Sequence, residues 1–307
     1  HRDLHAFSTR RSSDLYTHRI VHGGERFIEP ILLTRDTVFE LSETYNKIAP
    51  IHNPQALDIV DKIFENNVYS KQIGVFDTSW NLSISAINYL YAIPEVYYKK
   101  LKVRRYGFHG ISHKYVYNTL MEHRAKKTLK HTNNLKVMSC HLGSGCSVAA
   151  IKNGVVVDNS FGFSPMENIV MSTRVGEIDY DAVKFIQKEE NLTESEISDL
   201  LTKKSGLLGV SGYSKDMKKL LNDRDSVPSA RLAVDLFVNS VIKTIGSMYI
   251  TLGGLDLIIF TGGIGTGSDY IRDLIVKKIA VLGGEIDSHI NNGRLDVEEI
   301  LNLTGEN

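Results

Sequence analysis

The stretch HLGSGCSVAAIKNGVVVDNSFGFSP, residues 141–165, decides the fold. An apolar run, LKVMSC, leads into it and ends at Cys140; a glycine turn follows, and two more short apolar runs come at once. Asn153-Gly154 between those runs is a strong hairpin signal, because both central residues of the tightest hairpin turn need positive φ. The segment is therefore a β-meander whose first loop is Leu142-Gly143-Ser144-Gly145. Such a loop has two readings. It is a plain turn in which Gly supplies the positive φ, or it is a cradle whose backbone N–H groups face phosphate oxygens.

Outward from this meander, strands and helices alternate. Residues 18–24, HRIVHGG, read as a short strand ending in Gly-Gly, and KQIGVFDT reads as a strand ending on Asp77. TRDTVFELSETYNKI places Val38, Leu41, Tyr45 and Ile48 at helical spacing. The residues from Lys114 to Arg124 predict a helix after a His-rich loop. Thr193-Glu-Ser-Glu196 is a capping box opening a helix expected to stop at Gly206. Ser229–Leu252 predicts a long amphipathic helix, and Leu255–Phe260 a buried strand running into TGGIGTG. Meandering strands joined to helices predict an α/β protein with mixed sheets.

Composition narrows the function classes. The chain has 307 residues, formal net charge +0, 42% hydrophobic and 23% charged residues, and this length suffices for two cores. A balanced charge gives no reason to expect nucleic acid or an anionic membrane as partner. No apolar run approaches the roughly 20 residues that cross a bilayer. The two cysteines, Cys140 and Cys146, flank the glycine turn and read as reduced core residues of a cytoplasmic protein. The first residues, HRDLHAFSTRRSSDL, show neither strand nor helix periodicity. Residues 5–15 match a translated sequencing adapter at nine of eleven positions, so residues 1–15 are expected to be a non-native segment.

Three glycine turns follow apolar strands: HGG at 22–24, HLGSG at 141–145 and TGGIGTG at 261–267. The third contains G-x-G but lacks the βαβ context of a dinucleotide site. Three such turns favour strand ends gathered around a polyphosphate. Arg19, Asp77, His109 and Arg174 lie near these stretches. Each has a bland reading: a surface cation, a segment cap, a satisfied loop histidine. Together they form the set that phosphoryl transfer needs, because its catalysis rests on cations and donors around spreading negative charge.

The stretches HRIVHGGERF, GVFDT, VRRYGFHGISHKYV, HLGSGCSVAAIKNG, TRVGEID, KSGLLGVSGYSKDM and FTGGIGTGSDYIR, in this order, resemble the acetate kinase family of the acetate and sugar kinase/actin-like ATPase superfamily. The resemblance implies a two-domain actin-like (ribonuclease H-like) fold, with residues 16–80 in a partial N-terminal domain and 81–307 in a C-terminal nucleotide-binding domain. It implies transfer of the ATP γ-phosphoryl group to acetate with Mg²⁺, giving acetyl phosphate and ADP reversibly, in a homodimer. Propionate or butyrate kinase activity, or an inactive nucleotide-binding fragment, are the alternatives. By position, Asp77, His109 and Arg174 match catalytic residues and Arg19 the carboxylate-binding arginine. His141, Leu142, Gly143, Ser144 and Gly145 match a phosphate turn; Asp216, Met217 and Lys218, and Gly263, Ile264, Gly265, Thr266 and Gly267, match nucleotide-binding segments.

Departures accompany the resemblance. Ser144 and Lys218 replace Asn and Arg, Thr266-Gly267 replaces Glu-Asn, and Asn81 stands where the family has His. The family's opening Asn-x-Gly-Ser-Ser-Ser strand and its Thr-Asn-Glu-Glu segment, each with a Mg²⁺ ligand, have no counterpart here. The expectation is a chain truncated at both ends, its N-terminal domain incomplete, with no metal ligand to assign and with poor activity.

Overall fold

A computed structural model describes residues 15–50, 52–66, 70–126, 134–283, 286–288 and 291. The chain divides into two compact units, one running to Leu82 and including Phe108–Ile111, the other comprising Ser83–Gly107 and everything from Ser112 on. The expected non-native segment lies outside the described residues except for Leu15, which opens the first strand.

The first unit holds β1 (Leu15–Ile20), β2 (Ile31–Leu32), α1 (Arg35–Tyr45), α2 (Asn53–Asn66) and β3 (Lys71–Phe76). β3 is central, parallel to β1 and antiparallel to β2, so the sheet is mixed. Helix α1 begins with a capping box in which Thr34 and Thr37 satisfy each other's backbone N–H. Val38, Leu41 and Tyr45 form its buried face, at the spacing the sequence predicts. They join Ile20, Leu57 and Phe76 in one core. Each such side chain contributes about 1.5–3 kcal/mol by leaving water.

The second unit begins with the short helices α3 (Ala86–Tyr89) and α4 (Glu95–Leu101). Helix α5 (Gly110–Lys126) follows, its first two residues grouped with the first unit. The sheet comes from β4 (Lys136–Leu142), β5 (Cys146–Lys152) and β6 (Val155–Asn159). Helices α6 (Tyr180–Glu189), α7 (Glu194–Lys203), α8 (Gly206–Ser211), α9 (Met217–Asp223) and α10 (Pro228–Leu252) lead to β7 (Leu257–Thr261), α11 (Gly262–Gly267) and α12 (Asp269–Lys278). Strand order is β6-β5-β4-β7, antiparallel except for the parallel β4–β7 pair. The predicted hairpin is present, with φ of 52° at Asn153 and 81° at Gly154. Every residue of β5 but Lys152 is buried, so both faces of this strand are covered.

Four expectations change. Helix α5 starts at Gly110, earlier than Lys114, because the Gly110 N–H is fixed by a tertiary bond to the Asp77 carbonyl. Helix α7 stops at Lys203, and Gly206, with φ of 62°, opens α8 instead. Strand β7 is half-buried along its length, not buried, and lies at the end of the strand order among the described residues. TGGIGTG is not an open turn, since Gly262–Gly267 coils into a short helix. Among the described residues no helix is long and apolar enough to cross a membrane.

Candidate active site

In the first unit, β1 and β3 run parallel with Arg19 opposite Val75, and the chain leaves β3 at Asp77. Arg19 Nε donates to both Asp77 carboxylate oxygens at 3.0 and 3.1 Å, and Nη2 donates to Oδ2 at 2.5 Å. The Asp77 side chain is 2% exposed and that of Arg19 58% exposed, so the pair presents a guanidinium outward over a buried acid. Burial raises the Asp77 carboxyl above its ordinary pKa, with Arg19 opposing; the same hydrogen bonds raise Arg19.

His109 is drawn to this pair through the backbone. The Asp77 carbonyl accepts from Gly110 N at 2.8 Å and from Asn81 Nδ2 at 3.3 Å. A Cβ on Gly110 would lie 2.4 Å from that carbonyl, so only glycine permits the approach. His109 itself adopts φ of 57°, a left-handed conformation uncommon for a residue with a side chain. Asn81 is thus a buried brace for the Asp77 carbonyl, a role no sequence signal announces.

The HGG turn does not act as a phosphate cradle, contrary to the grouping of three turns. Its amides are engaged internally: Gly23 N donates to Thr78 Oγ1 at 3.1 Å and Gly24 N to His22 Nδ1 at 3.0 Å. His22 is buried between Tyr45 and Phe108, and Asn53 bonds both its N–H and its carbonyl.

In the second unit the other two turns do meet. β4 and β7 end side by side, with His141 opposite Thr261, so both strands deliver their glycine turns at one edge of the sheet. Ligands in α/β proteins bind beyond such carboxyl ends. The turns abut: a Cβ on Gly262, whose φ is 79°, would lie 2.6 Å from the Leu142 carbonyl oxygen. Within the first turn, Gly143 N–H points inward to the Gly145 carbonyl at 3.1 Å. Ser144 is exposed at the tip and Gly145 half-exposed.

The segment that carries Arg174 touches the first of these turns through its backbone. Ser172 N donates to the Ser144 carbonyl at 3.3 Å, tying the segment that carries Arg174 to the phosphate turn. Gly206 lets α8 close in beneath it, since a Cβ there would lie 2.1 Å from the Met171 carbonyl oxygen. Arg174 Nη1 donates to the Pro165 carbonyl at 2.8 Å, and partial burial lowers its pKa from the ordinary value. Asp216 and Lys218 are both exposed, and Asp216 accepts from Lys218 N as the cap of α9. No bond among the described residues draws either to the glycine turns.

Behind the turn, His113 is buried with its ring nitrogens 2.8 Å from the hydroxyls of Ser139 on β4 and Ser147 on β5. Burial pushes its pKa down to about 3. Cys140 and Cys146 are free and buried, their thiols pushed up to about 12 by burial. Among the described residues no group of three or more His, Cys, Asp or Glu side chains is placed to hold a metal ion. Asp77, the buried acid of the first unit, has both carboxylate oxygens bonded to Arg19.

The acetokinase family pattern matches residues 4–304. The chain belongs to the acetokinase family. Among its acetokinase relatives, acetate kinase of Brachyspira hyodysenteriae is 45% identical over 275 residues, covering 90% of this chain and 68% of the relative. Acetate kinase of Carboxydothermus hydrogenoformans is 41% identical over 283 residues, with the same coverage of 90% and 68%. The fold agrees with two solved structures. The Porphyromonas gingivalis acetate kinase superposes with TM-score 0.84 at 34% identity, covering 94% of this chain and 71% of that one. A propionate kinase from Francisella tularensis gives TM-score 0.85 at 34% identity, covering 94% and 74%. The family's actin-like, mixed-sheet architecture is therefore the fold of this chain.

Proposed function

We propose that this acetokinase transfers the γ-phosphoryl group of ATP to acetate, forming acetyl phosphate and ADP, and catalyses the reverse. The observation that carries the nucleotide half is the side-by-side ending of β4 and β7, which brings two glycine turns to one end of the sheet; the Ser172–Ser144 backbone bond supports adding Arg174 to them. The reading of Ser144 and Gly145 as phosphate donors is supported by the exposure of Ser144 and partial exposure of Gly145, with the Gly143 N–H turned inward. In the reaction a carboxylate oxygen bonds to the γ-phosphorus while the bond to the β–γ bridging oxygen breaks. The acceptor is already ionised, so no proton needs to be removed and Asp77 is not required as a base. Its role is to orient Arg19, whose exposed face meets the carboxylate. Arg174 and His109 stabilise charge on the transferring group.

Magnesium is proposed as a cation carried with the nucleotide phosphates. Carried there, the cation would offset phosphate charge as the carboxylate approaches. Asp216, Met217, Lys218 and Gly263–Gly267 are proposed to line the nucleotide, and a cytoplasmic homodimer is the proposed state. Propionate is the second acceptor reading, supported by the likeness to a propionate kinase. Discrimination by one methylene is worth only about 1–3 kcal/mol. The test incubates the chain with ATP, Mg²⁺ and acetate, propionate or butyrate, and traps acyl phosphate with hydroxylamine. Acetyl hydroxamate formed at the highest kcat/KM supports the proposal; its absence with every acid defeats it.

A further inference from the structure

We propose that Arg272 is a positioning residue that holds the loop Gly262–Gly267 in its binding shape, with Asn291 as its brace. The inference rests on the reading of that loop as nucleotide-binding. Four of the six residues of α11 are glycine. Each glycine disfavours helix by about 1 kcal/mol relative to Ala, and a helix this short is unstable alone. Something outside α11 must hold it.

Arg272 is among the largest fully buried side chains of the described residues. Its Nη1 donates to the carbonyls of Gly265 and Thr266, both at 2.9 Å. These lie at the C-terminal end of α11, where carbonyls lack helical partners and a cation is favoured. Arg272 Nε donates to Asn291 Oδ1 at 2.6 Å, and Asn291 Nδ2 donates to the Asp269 carbonyl at 3.1 Å. The connection continues forward. Thr266 Oγ1 donates to the Gly262 carbonyl at 3.0 Å, and Gly262 packs on the backbone of Leu142. Arg272 therefore sets the shape of one turn and, through Gly262, its spacing from the phosphate turn. Removing the guanidinium leaves the buried Gly265 carbonyl without this donor and frees a glycine-rich segment to unwind.

The test compares the 307-residue chain with Arg272→Met, Arg272→Lys and Asn291→Ala, using ADP calorimetry and amide hydrogen exchange. Arg272→Met is expected to weaken ADP binding about tenfold, with Arg272→Lys intermediate. Exchange is expected to accelerate at 262–267 and stay unchanged along β4 and β5. If Arg272→Met fails to fold, Asn291→Ala decides, with expected weakening of about threefold and faster loop exchange. A folded variant with unchanged loop protection overturns the clamp, as does faster exchange with unchanged ADP affinity. If the parent chain binds no ADP, the functional reading of the loop fails, while the exchange experiment still decides whether Arg272 holds it.

Discussion

Arg19 grips Asp77 through three short contacts, and those contacts occupy both carboxylate oxygens. The proposed substrate-binding cation and the buried acid that orients it therefore act as one unit. Arg19→Ala should raise the KM for acetate and also leave a buried carboxylate without its partner, lowering stability by about 1–3 kcal/mol. The double variant with Asp77→Asn should recover part of that stability, because the uncompensated charge is gone. A cycle of urea denaturations measures the coupling; strictly additive losses would contradict the pairing.

Arg174 is tied to the phosphate turn and not to an acid among the described partners. Arg174→Ala should lower kcat far more than it raises the KM for acetate, because its contacts strengthen as charge spreads. A loss of about 100-fold or more in kcat is expected. Steady-state kinetics in both directions checks this, and a pure KM effect would remove Arg174 from the chemistry.

Gly110→Ala should be severe for its size. The new methyl would press on the Asp77 carbonyl and break its bond from the residue-110 N–H. A destabilisation of about 2 kcal/mol or more is expected, with a fall in activity beyond the loss of folded protein. Thermal melts beside kinetics at a temperature where the variant is folded separate the two effects.

His113 gives a pH dependence. Its pKa falls from the ordinary value to about 3 in the folded state, so below pH 6.5 the unfolded chain binds the proton that the folded chain refuses. Its contribution is fully present above about pH 6.5 and lost progressively toward pH 3. Asp158, raised by burial to about 6, acts in the opposite direction. Comparing the parent with His113→Gln isolates the histidine: the stability lost between pH 7 and 5 should shrink by about 2 kcal/mol. Equal pH slopes in urea melts would refute it.

The thiols of Cys140 and Cys146 should not react with a thiol-specific disulfide reagent until the protein unfolds, since both are buried and protonated. Reaction at native rates comparable to a free thiol would show that the sheet opens.

The meander was legible because Asn153-Gly154 and alternating apolar runs carry local signals. The core face of α1 was legible from its spacing, and family order supplied the candidate site residues. What the sequence could not show were bonds made across long separations. The start of α5 depends on Asp77, a residue distant in sequence from Gly110. Asn81 and Asn53 are ordinary polar residues until burial makes their amides indispensable. HGG resembled a phosphate loop because a local glycine pattern does not reveal that Thr78 and His22 already accept its N–H groups.

The pairing of His141 with Thr261 also constrains how this chain can change length. Because the partners are aligned along parallel strands, inserting one residue within β4 or β7 alone would advance one turn past the other by roughly 3.3 Å. It would also turn every side chain beyond the insertion to the opposite face of the sheet. Length variation in homologous chains should therefore avoid the interiors of these two strands and collect in segments outside them.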